Sequence, residues 1–344
     1  MSKLNFASDY SEGCHEAILK RLLETNSEKT VGYGLDPYCE SAREKIRREA
    51  EAPDARVHFL VGGTQANATV LDSLLASYQG VISAETGHIA THESGAIEAT
   101  GHKVLTVPAK EGKITAEAAE AVFLAYRNDE SREHTVMPGA VYISQPTEYG
   151  TLYSKSELED ISAVCRKYKA PLFIDGARLG YALASREADF TLADIARLSD
   201  VFYIGGTKVG ALFGEAVVIT NPNICPAFFT VIKQHGALLA KGRLLGIQFD
   251  TLFTDRLYFK ISKNAIDTAM YLKNSLADLG YEFFIDSPTN QQFVIVNDEK
   301  LEYLRERVVF NYWEKTRDNR HVIRLVTSFM TAKEEVDELL QLFR

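Results

Sequence analysis

The sequence predicts an α/β fold, with a large domain on a mostly parallel sheet followed by a smaller α/β domain. Three observations carry this. From Val57 to Gly205 short apolar runs alternate with stretches of helical length, the pattern of parallel strands joined by right-handed crossovers. Near Lys233 the alternation gives way to long helices, and after Gly280 strands return at wider spacing, so the second sheet is smaller. At 344 residues the chain has room for both, since a domain takes roughly 100 to 200 residues. The expected division is an N-terminal segment 1–33 that packs on the small domain or a partner subunit, a large domain 34–253 and a small domain 254–344.

The elements follow in order. NFASDYSEG is polar and predicts only a loop, and a helix follows near Cys14 to Glu24. In TVGYGLDPYCE the glycines and Pro37 break regular structure. The charged helix SAREKIRREAEA leads to the strand VHFLVG. Then come the helix GTQANATVLDSLLASY, the strand GVISAE, a short helix THESGAIEAT and the strand KVLTVP. TAEAAEAVFLAYRNDE reads as a helix and AVYISQP as a strand. In SKSELEDISAVCRKYK, Leu158, Ile161, Val164 and Tyr168 share one helical face, and Ser154 with Glu157 forms a capping box. The strand PLFIDG, a helical span and the strand VFYIGG complete the alternation. KQHGALLAKGRLLGIQFDTLF and DRLYFKISKNAIDTAMYLKNSLADLG are long helices, the second a connector. The rest reads YEFFID, QQFVIVN, a helix DEKLEYLRER, the strand HVIRLVTS and a last helix with Val336, Leu339, Leu340 and Phe343 on one stripe.

Composition narrows the function classes. A hydrophobic content of 46% with 25% charged residues is that of an ordinary globular protein, and a net charge of -9 argues against a nucleic-acid binder. No apolar run approaches the roughly 18 residues of a membrane span. The start lacks the apolar core of a signal peptide, so a cytoplasmic location is expected. Four widely spaced cysteines form no CxxC pair and give no metal or redox signature.

The stretch with chemistry runs from Pro171 to Gly214. One apolar strand ends on Asp175, Arg178 follows, and a second strand ends on a Gly-Gly-Thr-Lys loop carrying Lys208. Taken singly, Asp175 is a turn cap and Lys208 a solvated loop lysine. Together, at the carboxyl ends of two strands where open α/β sheets bind ligands, they suit pyridoxal 5'-phosphate (PLP). That cofactor needs a lysine amine for its aldehyde and an acid facing its pyridine nitrogen.

Other stretches fit around this pair. VGGTQANA places Gly62, Gly63, Thr64 and Gln65 at a helix start, where backbone N–H groups and the helix dipole suit a phosphate; tight turns use the same glycines. The P-loop and dinucleotide signatures are absent. His88 and His92 are four apart, a zinc-pair spacing without an evident third ligand. His88 is otherwise a ring to stack on a flat cofactor, or a surface histidine. Arg324 either faces solvent or holds a substrate carboxylate in bidentate fashion, with Arg178 as a second hand.

With these residues in place, the chain resembles the L-threonine aldolases, within the aromatic amino acid β-eliminating lyase group of fold type I (aspartate aminotransferase-like) PLP enzymes. SDY at Ser8 to Tyr10, GYGLDP, GGTQAN, GHIATHESGA, DGARL, GGTKVGA and IRLVTS resemble that family's segments over nearly the whole length. The resemblance implies that Lys208 binds the cofactor aldehyde, Asp175 pairs with the pyridine nitrogen and His88 stacks on the ring. It further implies that Gly63, Thr64 and Gln65 hold the phosphate, helped by Lys241 or Arg243 from a neighbouring subunit. Arg178 lies by the cofactor and, with Ser8 and Arg324, holds the substrate carboxylate. Tyr33 reaches a partner's site in a homodimer or homotetramer with shared active sites.

The implied substrate is a small L-3-hydroxy amino acid, cleaved to glycine and an aldehyde. Where the family has Glu-Asn-Thr-His, this chain has Gln145-Pro146-Thr147-Glu148, so Glu148 or His88 is expected to take the β-hydroxyl proton. No metal is expected. A β-eliminating lyase, an aminotransferase and a non-catalytic PLP-binding protein are the alternatives.

Overall fold

The structure, a computed structural model, describes residues 3–344; the first two residues of the expected segment 1–33 lie outside it. Its strands in chain order are β1 (Leu4–Asn5), β2 (Arg56–Leu60), β3 (Gln79–Ala84), β4 (Lys103–Val107), β5 (Met137–Ser144) and β6 (Leu172–Asp175). After them come β7 (Val201–Gly205), β8 (Glu215–Ile219), β9 (Gln291–Val296), β10 (Val308–Val309), β11 (Asn311–Lys315) and β12 (His321–Val326). Seven of these form the main sheet, in the order β2-β8-β7-β6-β5-β3-β4. Its β7-β6-β5-β3-β4 pairings are all parallel. β8 runs antiparallel to both β7 and β2, so β2 points the same way as the parallel set.

Helices cover both faces of this sheet, as the near-continuous apolar runs of its strands require. One core joins Ile143, Ile174, Phe202 and Val218 to helices Lys155–Tyr168, Leu192–Leu198 and Arg243–Leu252. Tyr142, Phe173, Tyr203 and Val217 form the other, with helices Gly63–Leu74 and Phe228–Gln234. A third core lies under β9 and β12 and buries Val336, Leu339, Leu340 and Phe343, the expected stripe of the last helix. The α/β fold class read from the sequence is the fold observed, and the Ser154–Glu157 capping box is formed.

Several elements differ from expectation. β1 pairs in parallel with β10, so the opening segment is more than a loop. The charged helix begins earlier, at Pro37–Glu49, because Asp36 caps it by accepting from Cys39 N and Pro37 suits a first turn. THESGAIEAT is divided between helices His88–Thr91 and Ala96–Ala99, separated by Ser94 and Gly95 at positive φ. The single long helix read from Lys233 is two, Phe228–Gln234 and Arg243–Leu252. Gly236 at φ 66 ends the first, and Gly242 opens the second against the Gly34 backbone, where a Cβ would meet N at 2.3 Å. YEFFID is not a strand and contributes one bridge, Phe283 to Val294. β8 and β11 were passed over. EAVVI is short and follows a glycine-rich loop, while NYWEK carries charge within its apolar alternation and edges a small sheet.

Candidate active site

Because β2, β3, β5, β6 and β7 run one way, their carboxyl ends bring Gly62 to Thr64, His88, Glu148, Asp175 and Lys208 to a single sheet edge. β8 is reversed, so it is its first residue, Glu215, that reaches this edge, in register with both Gly205 and Leu60. A hollow of about 320 Å³ opens here. It adjoins a second of about 470 Å³ toward β11 and β12, and His88, Glu148, Arg178 and Lys208 line both.

Asp175 is buried at the end of β6 and fully hydrogen-bonded. One oxygen accepts from Tyr203 Oη (2.5 Å) and Ala177 N (3.0 Å), the other from Tyr142 Oη (2.6 Å) and Asn67 Nδ2 (3.0 Å). Burial alone would raise its pKa, but the charge of His88 and the hydroxyl and amide donors outweigh it and hold the carboxyl below its ordinary value. Asn67 Nδ2 also donates to Glu93 Oε1, which lies 2.7 Å from His88 Nδ1. A buried chain of polar groups therefore fixes the His88 ring relative to Asp175.

The loop after β7 is closed by Gly206 N and Thr207 N donating to Gly214 O. Glu215 holds it from below, accepting from Thr207 Oγ1 (2.8 Å) and Gly206 N (3.1 Å). Burial pushes the Glu215 carboxyl up to about 8. Lys208 lines both hollows, and no hydrogen bond or ion pair engages its Nζ among the described residues. Burial and the nearby Arg178 lower its pKa against the pull of Asp9, Asp175 and Glu215, which favours the neutral, nucleophilic amine.

Gly62 offers no side-chain cap to helix Gly63–Leu74, so the N–H groups of its first turn are open to an anion. A Cβ on Gly63 would sit 3.1 Å from Tyr203 Oη. Thr64 lines the hollow; Gln65 does not, because its Oε1 accepts from Val61 N. The residues fit PLP: an unpartnered amine, a carboxylate favoured in its charged form and an uncapped helix start share one hollow.

At the other end Arg178 grips Asp9 through Nε and Nη2 (2.6 and 2.9 Å), and Asn290 steadies Asp9 at 2.9 Å. Burial would lower the Arg178 pKa, yet the Asp9 carboxylate raises it. Arg324 has no acidic partner among the described residues. Its Nη1 donates to Gln291 Oε1 at 3.0 Å, its guanidinium lies 5.4 Å from the Trp313 ring, and its Nε is buried without a partner. Burial, with Arg178 nearby, pushes it down to about 10. An under-compensated cation in a polar hollow suits an anionic ligand. Arg324→Ala is expected to lower kcat/KM roughly 10- to 150-fold, the value of one charge-assisted bond of about 1.5–3 kcal/mol. Steady-state kinetics should show this mainly as a higher KM.

Five expected residues lie elsewhere in the protomer. Ser8 pairs with Ser11, and its neighbours Asp9 and Tyr10 meet the site instead. Tyr33, at φ 61 and 44% exposed, lies under Lys233. Lys241 is exposed. Arg243 donates to Thr25 O and Glu28 O at the end of helix Glu16–Thr25, so its guanidinium is committed there. Gln65 is the fifth. His88 and His92 stack with centroids 5.7 Å apart, and no group of three metal-ligating side chains is found among the described residues. The sequence reading missed Asp9, Asn67, Glu93, Glu215 and Trp313 as parts of the site. Asp9, Asn67 and Glu93 had a signal, lying inside segments already singled out; Glu215 and Trp313 had none.

A buried acid, an unpaired lysine and an arginine seat at the carboxyl edge of a doubly covered sheet define an enzyme of the aspartate aminotransferase-like class. Thermus thermophilus aspartate aminotransferase superposes with a TM-score of 0.72 at 16% identity, over 99% of this chain and 91% of that one. The chain belongs to the β-eliminating lyase family, which it matches over residues 5–299; this family and that fold class are PLP-dependent. It is 35% identical over 310 residues to the low specificity L-threonine aldolase of a Pseudomonas species, covering 88% of this chain and 87% of that one. The Pseudomonas aeruginosa protein of the same description is 34% identical over 88% and 87%. The structure of Leishmania major threonine aldolase is 43% identical with a TM-score of 0.95, over 98% of both chains.

Proposed function

We propose that this chain is a PLP-dependent carbon–carbon lyase that cleaves L-3-hydroxy amino acids, L-threonine and L-allo-threonine to glycine and acetaldehyde. The observation that carries the reading is that Lys208 lines two adjoining hollows, one with Asp175 and the other with Arg324, in a chain 43% identical to a threonine aldolase. The bound cofactor supplies an electron sink for the bond that breaks. Lys208 Nζ would hold its aldehyde and Asp175 its protonated pyridine nitrogen, with the His88 face on the ring and its phosphate at Gly63 and Thr64. Arg324 seats the substrate carboxylate, and Arg178, already balanced by Asp9, borders it.

Glu148 Oε1 accepts from Ser144 Oγ (2.7 Å) and His88 N (2.9 Å). Burial, and to a lesser degree Asp175, raise its pKa against those bonds, which favours the neutral acid. In that form Glu148 donates to the substrate hydroxyl oxygen and orients it. Glu148→Gln, which keeps a donor on the same stem, is expected to hold cleavage within about tenfold; a loss of about 10²–10⁴-fold would make Glu148 the base.

The assay is purified protein with PLP and L-threonine, followed for glycine and acetaldehyde. Pyruvate with ammonia would favour β-elimination instead, a keto acid amino transfer, and binding without any product a PLP carrier.

The finer organisation belongs to the same proposal. The division proposed near residue 254 falls just before helix Leu257–Asp278, which links the two units: its first half joins the large core through Tyr258 and Ile261 and its second joins the third core through Leu272 and Leu276. Exposed Leu19, Leu23, Val31 and Leu35 suit a homodimer or homotetramer in which Tyr33 and Lys241 reach a neighbour's site. No described helix is long and apolar enough to cross a membrane, and the cytoplasm is the proposed location.

A further inference from the structure

The cleavage needs a group that accepts the β-hydroxyl proton, and the geometry separates the candidates. His88, fixed at Nδ1 by Glu93 Oε1, has its ring given to stacking on the cofactor in the lyase reading, and burial favours the neutral form of Glu148. A third group, His92, lines the same hollow as Lys208 and Arg324. It follows the four-residue helix His88–Thr91, and its ring lies between two others, 5.7 Å from His88 and 6.4 Å from Trp313.

Its tautomer can be worked out from the hydrogen bonds. Thr91 Oγ1 donates to Gly87 O at 3.0 Å, which uses the hydroxyl's one proton. The same oxygen lies 2.6 Å from His92 Nδ1, so it accepts there and Nδ1 carries the hydrogen. Nε2 is left with its lone pair and no hydrogen-bond partner among the described residues. Burial, His88 and Arg324 lower the pKa of His92, which keeps the ring neutral. Trp313 lies against both His92 and Arg324, so one indole steadies the nitrogen and the carboxylate seat together.

We propose that His92, through Nε2, takes the β-hydroxyl proton of the substrate; this rests on the lyase reading above. The proton passes from the β-oxygen to Nε2, and the O–H electron pair becomes the second bond of the aldehyde carbonyl. The Cα–Cβ bond breaks, and its pair stays with the glycine carbon, which is then protonated. His92 is exposed at the mouth of the hollow, so the accepted proton has a path to water.

The test compares two reactions of the PLP-loaded protein, with Lys208→Ala as the blank. One is cleavage of L-threonine; the other is exchange of glycine α protons with deuterium, which involves no hydroxyl. His92→Ala is expected to lose cleavage by about 10²–10⁴-fold, the usual share of a general base, while glycine exchange stays within about twofold and added imidazole restores part of the cleavage. Cleavage within threefold of wild type, or equal losses in both reactions with no imidazole rescue, would overturn the proposal. Nitrogen NMR of the wild-type ring, which needs no turnover, should show hydrogen on Nδ1; hydrogen on Nε2 would overturn it as well. Wild-type protein that exchanges glycine but cleaves no 3-hydroxy amino acid would instead sink the lyase reading, and the base with it.

Discussion

Lys208→Ala is expected to yield a folded protein with no measurable cleavage of L-threonine and no lysine-bound cofactor colour once unbound PLP is removed. Nζ is an amine without a hydrogen-bond or ion-pair partner among the described residues, and burial with Arg178 nearby favours its neutral form. No other lysine lines either hollow, so nothing can replace it. Borohydride reduction, which locks a lysine-bound cofactor in place, should add its mass to the wild type and not to the variant. The loop itself should survive, since backbone bonds to Gly214 and the Glu215 contacts to Gly206 and Thr207 hold it. A variant that still takes up the mass on this loop would remove Lys208 from the site.

Asp175→Asn should be nearly as damaging. The carboxyl is held below its ordinary pKa by His88 and by donors from Tyr142, Tyr203 and Asn67, although burial opposes this. A carboxylate so fixed keeps a facing pyridinium protonated, and the amide cannot. At an effective dielectric of about 20, two unit charges about 4 Å apart interact by roughly 4 kcal/mol, which corresponds to about 10³ in rate. Cleavage should therefore fall by about that factor with the protein still folded, as judged by circular dichroism. A loss below about tenfold would mean that Asp175 serves the fold through its four hydrogen bonds and not the ring. The acid limb also has a sign: the carboxylate form is present above the folded-state pKa, so activity that depends on it fails only well below neutral pH.

Much of the site was legible because its pieces are local. DGARL and GGTK each place a candidate site side chain at or just after the end of an apolar strand, and parallel strands deliver such ends to one edge. Asp175, Lys208, Gly63, Thr64, His88 and Glu148 line one hollow for that reason, and Arg324 reaches the adjoining one from β12. Other residues have surroundings made by distant parts of the chain, which no local pattern announces. Ser8 was chosen over Asp9, whose partner Arg178 is 169 positions away. Within the protomer the Gln65 amide is bonded to Val61 N, and the Arg243 guanidinium to Thr25 O and Glu28 O.

The sequence by itself determined the α/β alternation, the sheet edge that carries the candidate site and the lysine and acid that meet there, since all of these follow from hydrophobic period and strand-end chemistry. Tertiary structure decided what balances those charges. The reversal of β8 sets Glu215 beneath the lysine loop, the N-terminal segment brings Asp9 to Arg178, and Arg324 is left without a carboxylate of its own. A pattern along the chain records which face of an element is apolar. Which charges end up adjacent is set by how the elements pack, and that carries no local signature.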